Sequence, residues 1–218
     1  MKQSLFSLLI FIGLLQSACS SISSHTPDEG YIVYSIEYLN ADSLDGMKAM
    51  LPDEMTLYFK NNSTCSELVI GAGLFETRMI SNSDNFTMNT LVKALGQKSV
   101  MKLRKDDVDK NYQDRVPLEL TYTNKRKEIA GYNCKEILVR DSTGNEYKVY
   151  FTEDIHINEP NWSTPFRDVK GIMLDYSLNF NGMIMHLTAK EVKFEAVDST
   201  YFNVPEDYKE IKKEKLKS

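Results

Sequence analysis

The sequence predicts a mainly β fold, a strongly curled antiparallel meander with two short helices lying across it. From Tyr31 onward, apolar and polar residues alternate in segments rich in Val, Ile, Tyr, Phe and Thr, a pattern typical of half-buried strands. Turn signals separate consecutive segments, which favours antiparallel neighbours. Two short helices cannot cover both faces of a parallel sheet, so a parallel α/β fold is excluded and a β-sandwich is the other arrangement considered.

Ten segments carry the strand pattern. They lie at residues 31–39, 55–61, 65–80, 85–95, 98–104, 118–124, 127–140, 145–152, 171–180 and 183–197.

Two amphipathic segments interrupt them. The first begins at Asp42 or Ser43, carries Leu44, Met47 and Leu51 on one face and ends before Pro52, whereas the second runs from Asp106 to Arg115. Their apolar faces predict that both helices pack on the sheet.

The last two strands form the clearest hairpin. Asn181-Gly182 is the strongest short signal for a two-residue type I′ turn. That turn places four apolar pairs on one face of the hairpin: Phe180 with Met183, Leu178 with Met185, Tyr176 with Leu187, and Leu174 with Ala189. After Ala189 the apolar residues change from odd-numbered to even-numbered positions, which predicts a β-bulge near Lys190 and Glu191. A second hairpin is predicted to turn at residues 141–145.

Composition places limits on function. The 218 residues include 26 Lys+Arg and 31 Asp+Glu, a net charge of -5. A chain of this size can form one domain with a sizeable core. The acidic balance excludes the basic footprint of a nucleic-acid binder, so no nucleic-acid partner is expected.

The N-terminus reads as an export signal at residues 1–18, with Lys2 as its charge and an apolar stretch too short to span a bilayer. Leu14-Leu15-Gln16-Ser17-Ala18-Cys19 resembles a bacterial lipobox, which would make Cys19 a diacylated mature N-terminus and membrane anchor. An ordinary secretory signal is the alternative. Ser20 after the cysteine resembles lipoproteins sorted to the outer membrane rather than the inner membrane.

The remaining chain divides into a flexible tether at residues 19–30, a single domain at residues 31–208 and a charged tail at residues 209–218. An envelope location is oxidising, so Cys65 and Cys134 could pair. They could equally be buried thiols on two strands. The sequence leaves both alternatives open.

The motifs of the common enzyme classes are absent. There is no G-x-S-x-G, H-E-x-x-H, P-loop or G-x-G-x-x-G motif. His186 lies on the polar face of the last hairpin without a second His or Cys at metal-ligand spacing. The nearest approach to a catalytic cluster is one loop with Glu153, Asp154, His156 and Glu159. We therefore expect no enzymatic activity, no catalytic residue, no metal and no cofactor.

Four blocks of the sequence resemble a known group: residues 127–135, 149–155, 166–174 and 202–208, within a region from about Tyr122 to Ile211. They resemble the GLPGLI and related uncharacterised envelope lipoprotein families, whose domains are similar to lipoprotein-localisation carriers. The resemblance implies a half-barrel around an apolar concavity with short helices as a lid. The residues that would line the cavity are Leu44, Met47, Leu51, Leu174, Tyr176, Leu178, Phe180, Met183, Met185 and Leu187.

Two functions follow as hypotheses. In the first, a membrane-anchored envelope lipoprotein binds a hydrophobic ligand, such as a lipid, an acyl chain or an acylated protein, without covalent chemistry. In the second, the same residues form a closed core, and the domain is an interaction or structural module with a protein partner. The sequence does not predict the oligomeric state.

Overall fold

The computed structural model describes residues 28–40, 50–113, 117–180 and 183–212. It confirms the predicted fold class: the protein is mainly β, with one large, mostly antiparallel sheet that is not closed. Two meanders make up this sheet. The predicted lipidation site Cys19 and most of the first predicted helix, including Leu44 and Met47, lie outside the described residues.

The first meander places six strands side by side in chain order. They are β1 (Glu29–Tyr38), β2 (Glu54–Lys60), β3 (Ser63–Ile70), β4 (Phe75–Asn82), β5 (Thr87–Ala94) and β6 (Gln97–Arg104). The second predicted helix is confirmed as α1 (Lys105–Gln113), which follows β6.

The prediction of one long strand over residues 65–80 is wrong, because β3 and β4 form a hairpin. Its turn contains Gly71, Ala72 and Gly73, all with positive φ, a backbone conformation that glycine adopts without steric cost. The pairing of Ile70 with Phe75 closes the hairpin. The apolar residues on both sides of the turn made the segment resemble one continuous strand.

The second meander contains β7 (Glu119–Ile129), β8 (Tyr132–Arg140), β9 (Glu146–Thr152), β10 (Ile172–Phe180) and β11 (Met183–Phe194). Its strands are also adjacent in chain order, and β11 pairs with β1 to join the two meanders. The predicted break between residues 124 and 127 is wrong, since β7 continues to Ile129. The prediction of one strand over residues 127–140 is wrong too, because the chain turns at Ala130 and Gly131 before β8 begins.

Both predicted hairpins of the second meander are confirmed as strand pairs. In the last one, Tyr176 pairs with Leu187, Leu178 with Met185, and Phe180 with Met183. The pairing in the last hairpin begins at Asp175, so the predicted pair of Leu174 with Ala189 is not part of it. The predicted turn at Asn181 and Gly182 lies outside the described residues. The bulge is also confirmed, because Val33 and Tyr34 of β1 pair with Glu191 and Ala189, which leaves Lys190 as the extra residue. In the β8–β9 turn the Asp141 amide donates to the Asn145 carbonyl over 3.0 Å.

The two faces of the sheet are covered differently. The inner face carries the largest buried cluster, centred on residues such as Tyr34, Phe151 and Leu187. The outer face of the first meander is covered by the C-terminal segment, where a 3-10 turn (Ser199–Phe202) brings Tyr201 onto Tyr58 with ring centroids 3.9 Å apart. This segment ends in β12 (Lys209–Glu210), which pairs in parallel with β6 at the sheet edge.

Cys65 and Cys134 are both free and buried. Of the two alternatives left by the sequence, the structure therefore has two buried thiols and not a disulfide. Cys65 lies in the outer-face cluster and Cys134 in the main core. Burial raises the pKa of the Cys134 thiol to about 11, and it also raises the pKa of Cys65. Both thiols are therefore protonated at neutral pH, and each acts as a small apolar side chain.

Candidate functional site

A cavity of about 500 Å³ lies against the inner face of the sheet. Residues 153–171, between β9 and β10, cover it from the other side, and we call them the covering loop. Its lining consists of Tyr34, Met55, Leu57, Thr64, Ser66, Leu68, Thr77, Met79, Ser81, Met88, Tyr112, Leu118, Tyr147, Pro160, Asn161, Ser163, Thr164, Pro165, Phe166, Ile172, Met173, Tyr176, Ser177, Leu178, Asn179 and Met185.

Strand alternation builds the wall formed by the first meander. Side chains two residues apart on a strand point to the same face, so β3 contributes Thr64, Ser66 and Leu68 to the cavity. Their cross-strand partners on β4 are Ser81, Met79 and Thr77, which also line it. The residues between them, such as Cys65 and Arg78, point to the outer face.

The second meander contributes the opposite wall. A register shift between Met173 and Asp175 leaves Leu174 as an extra residue on β10. On a regular strand, two residues three positions apart would point to opposite faces. The extra residue shifts this alternation, so Met173 and Tyr176 both line the cavity. Tyr176 also contacts Tyr34 edge to face, with ring centroids 5.9 Å apart.

The covering loop is held in place by hydrogen bonds and ring contacts. Asn161 is buried, and its side-chain amide donates to the carbonyls of Val169 over 2.8 Å and Gly171 over 2.9 Å. Phe166 packs edge to face on Tyr176. Arg167 binds Asp109 of α1 over 2.9 Å and lies over the Tyr112 ring. The covering loop is therefore stabilised by contacts within itself and by contacts with α1.

The structure places the predicted cavity residues in three groups. Tyr176, Leu178 and Met185 line the cavity, and Leu174 and Leu187 are fully buried in the core beside it. Leu51 and Met183 are partly exposed and outside the lining. Phe180 belongs to β10, but its side chain lies outside the described part of the structure, as do Leu44 and Met47.

Sequence reasoning missed the wall contributed by the first meander. Met55 and Leu57 alternate with Glu54, Thr56 and Tyr58, as the inward positions of a strand do. That signal was present, but it did not show that β2–β4 curve around the same space as β10 and β11. Met79 and Met88 carry a second signal, because flexible thioethers suit an adaptable apolar surface.

A polar cluster of Asp175, Ser177 and His186 lies along β10 and β11, and its Ser177 is also one of the residues that line the cavity. Asp175 is only 4% exposed, and its carboxylate binds Lys127 over 2.8 Å and the His186 Nε2 over 3.2 Å. His186 Nδ1 lies 2.9 Å from the Ser177 hydroxyl. The buried Asp175 carboxylate therefore has polar partners on both sides, the Lys127 ammonium group and the His186 imidazole. The expectation of no catalytic residue stays a prediction.

The loop with Glu153, Asp154, His156 and Glu159 is exposed. Glu153 forms an ion pair with Lys135. Glu153 and His156 border another cavity, of about 440 Å³, whose lining also includes Asp28, Asn62 and Lys170. Across the described residues, no group of three or more His, Cys, Asp or Glu side chains could hold a metal ion.

No helix in the described part of the chain has the length and apolar character needed to cross a bilayer. The sequence matches no curated protein. The structure is similar to a solved structure described as the crystal structure of MucB, with 9% sequence identity and a TM-score of 0.32. The match covers 82% of this chain and 58% of the MucB chain, so this chain spans little more than half the length of that protein.

The family comparison gives a match over the centre of the chain. It covers residues 44–161, more than half of the sequence and most of the first meander, α1, β7–β9 and the start of the covering loop. The resemblance to the GLPGLI group stays a prediction. The chain belongs to the family described as domain of unknown function DUF4412.

Proposed function

We propose that this protein is a cell-envelope lipoprotein that binds a hydrophobic ligand, a lipid or acyl chain, without covalent chemistry. The observation that carries the proposal is the cavity of about 500 Å³ between the inner face and the covering loop. Its volume falls within the range of about 300–1,000 Å³ that is usual for small-molecule sites. A closed core would leave no such space.

The side chains of the cavity support an apolar ligand. Leucine, methionine and aromatic residues from both meanders form most of its surface. Five of them are methionines: Met55, Met79, Met88, Met173 and Met185. Unbranched thioethers adapt to ligands of different shape at small energetic cost, as a site for acyl chains requires.

The proposed anchor rests on the sequence alone. Two acyl chains on Cys19 would hold the domain at a membrane, because each buried CH₂ contributes about 0.8 kcal/mol. The tether, predicted at residues 19–30, would connect that anchor to the domain, whose strand β1 begins at Glu29. Ser20 supports the outer membrane as the destination. The acidic net charge of -5 supports a role without nucleic acid.

Native mass spectrometry of the chain from Ser20 to Ser218, purified from a bacterial periplasm, tests the proposal. We expect a bound mass that organic extraction releases as a lipid. A clean mass without ligand, together with failure to take up a fluorescent acyl probe, would contradict the proposal. That result would favour the interaction module with a protein partner.

Globomycin treatment of cells expressing the full chain tests the anchor separately, since blocked signal cleavage is expected for a lipoprotein.

A further inference from the structure

Charged side chains are absent from the described lining of the cavity. Asp, Glu, Lys, Arg and His make no contribution to it, although Asp, Glu, Lys and Arg form 26% of the whole sequence. The charged residues of the same strands point the other way. Glu67 lies between Ser66 and Leu68, and Arg78 between Thr77 and Met79. Their ion pair is therefore on the outer face.

The polar groups that do line the cavity include a cluster of neutral hydroxyls. Thr64 pairs with Ser81 across β3 and β4, and the Ser81 hydroxyl lies 3.3 Å from that of Ser163 on the covering loop. Thr64 and Ser163 are each 8% exposed. Ser66 follows Thr64 along the same row. This cluster lies at the start of β3, and Leu68 continues the row toward the apolar part of the cavity.

The chemistry of this lining discriminates between ligand head groups. A hydroxyl can both donate and accept a hydrogen bond, so it can satisfy a buried ester or alcohol. A carboxylate moved from water into such a site would lose its hydration without gaining a cation. Its pKa would rise, and it would enter the cavity in the protonated form.

We propose that the cavity selects an uncharged amphiphile, a single acyl chain with an ester or hydroxyl head group, over a fatty-acid anion. The head group lies at Thr64, Ser81 and Ser163, and the chain lies along the leucine and methionine surface. This inference rests on the proposed function, because it names the ligand class of the same cavity.

The test compares monoolein with oleate, which share one acyl chain, as competitors of a fluorescent dye bound to the purified full chain. At about pH 8 a carboxyl group in water is ionised. There we expect monoolein to bind at least about tenfold more tightly than oleate. Lowering the pH to about 5 should strengthen oleate binding and leave monoolein binding unchanged.

Equal binding of the two ligands at the higher pH would overturn this inference and leave the proposed function intact. If neither ligand binds, the proposed function fails as well. Tighter binding of oleate than of monoolein would show a cation at the head-group site, which also overturns the inference.

Thr64→Val tests the position of the head group, since it replaces a hydroxyl with a methyl group of similar size. We expect monoolein to bind about two- to tenfold more weakly, the effect of one hydrogen bond, with oleate little changed. Ser81→Ala provides a second variant if Thr64→Val does not fold. The matched control is Thr188→Val on the outer face of β11, which should bind both ligands normally. Equal weakening of both ligands in Thr64→Val and Ser81→Ala would contradict the head-group position.

Discussion

The hydroxyl of Tyr34 donates a hydrogen bond to the carbonyl of Met173 over 2.9 Å, and so links β1 to β10 across the intervening strand β11. Tyr34 is almost completely buried, and burial raises the pKa of its hydroxyl well above the ordinary value. The group therefore stays protonated as a donor at neutral pH. Both residues line the cavity, so this bond joins its two walls.

Tyr34→Phe removes that donor and leaves the Met173 carbonyl without its side-chain partner. Loss of a buried partner costs about 1–3 kcal/mol, so we expect a decrease of about 1–2 kcal/mol in the free energy of unfolding. Urea denaturation followed by circular dichroism measures it.

Tyr122→Phe is the matched control for Tyr34→Phe. The Tyr122 hydroxyl also donates to a backbone carbonyl, that of Asp168, over 3.0 Å, but the residue is exposed. Water replaces the lost donor there, so the change should be below about 0.5 kcal/mol. Equal losses in the two variants would show that the buried bond has no special role.

Asn161→Ala tests the attachment of the covering loop. The variant removes two donors from the carbonyls of Val169 and Gly171. We expect a loss of about 2 kcal/mol in the free energy of unfolding and faster amide hydrogen exchange at residues 153–171. The control is Asn203→Ala, whose exposed amide donates to the Ser199 carbonyl and should change stability by less than about 0.5 kcal/mol. Unchanged hydrogen exchange in the loop would contradict this role.

The β8–β9 and β10–β11 hairpins could be predicted from the sequence because their signals are local. The Asn181-Gly182 signal in the sequence predicts the register of the last hairpin, and the shift of apolar phase after Ala189 identifies the bulge at Lys190. The β3–β4 hairpin could not be found in this way, since Ile70 and Leu74 extend the apolar pattern through the turn. Positive φ values at Gly71 and Gly73 are visible only in the folded chain.

The cavity depends on information that no local pattern contains. Thr64 and Ser81 become neighbours only when the β3–β4 hairpin forms, and Ser163 joins them from a loop without periodicity. Leu174 is the opposite case, a residue that the sequence assigns to the cavity wall and that the structure buries in the core. It alternates correctly with Tyr176, yet the irregular pairing of β10 with β9 removes it from the cavity. Hydrophobicity could predict burial at these positions, but it could not distinguish a cavity wall from a packed core.

Acid should destabilise the protein partly through Glu136. Hydrogen bonds from Tyr150 over 2.8 Å and Thr123 over 3.0 Å hold the pKa of Glu136 below its ordinary value of 4.5. Because the folded-state pKa is lower than that of the unfolded chain, this stabilisation is present above about pH 4.5 and is lost as the pH falls. Glu136→Gln should therefore have a flatter stability curve between about pH 5 and pH 3.

Tyr150→Phe provides the second variant for Glu136. It removes the hydrogen bond that lowers the pKa of Glu136 most, so the pKa should move toward 4.5. An NMR titration of the Glu136 side chain measures that change directly. An unchanged pKa in Tyr150→Phe would contradict the assigned cause, and an unchanged acid slope in Glu136→Gln would contradict the linkage.

Met185→Trp separates a ligand cavity from a closed core. Met185 lines the cavity opposite Leu178, so a larger side chain can extend into the empty space. We expect uptake of a fluorescent monoacylglycerol to fall at least about tenfold, with less than about 1 kcal/mol lost in the free energy of unfolding. In a closed core the same change would overpack the interior, which costs about 1–3 kcal/mol. Met50→Trp is the control, because Met50 is exposed and lies outside the cavity lining. A large loss of stability without a change in uptake would therefore decide against ligand binding at this site.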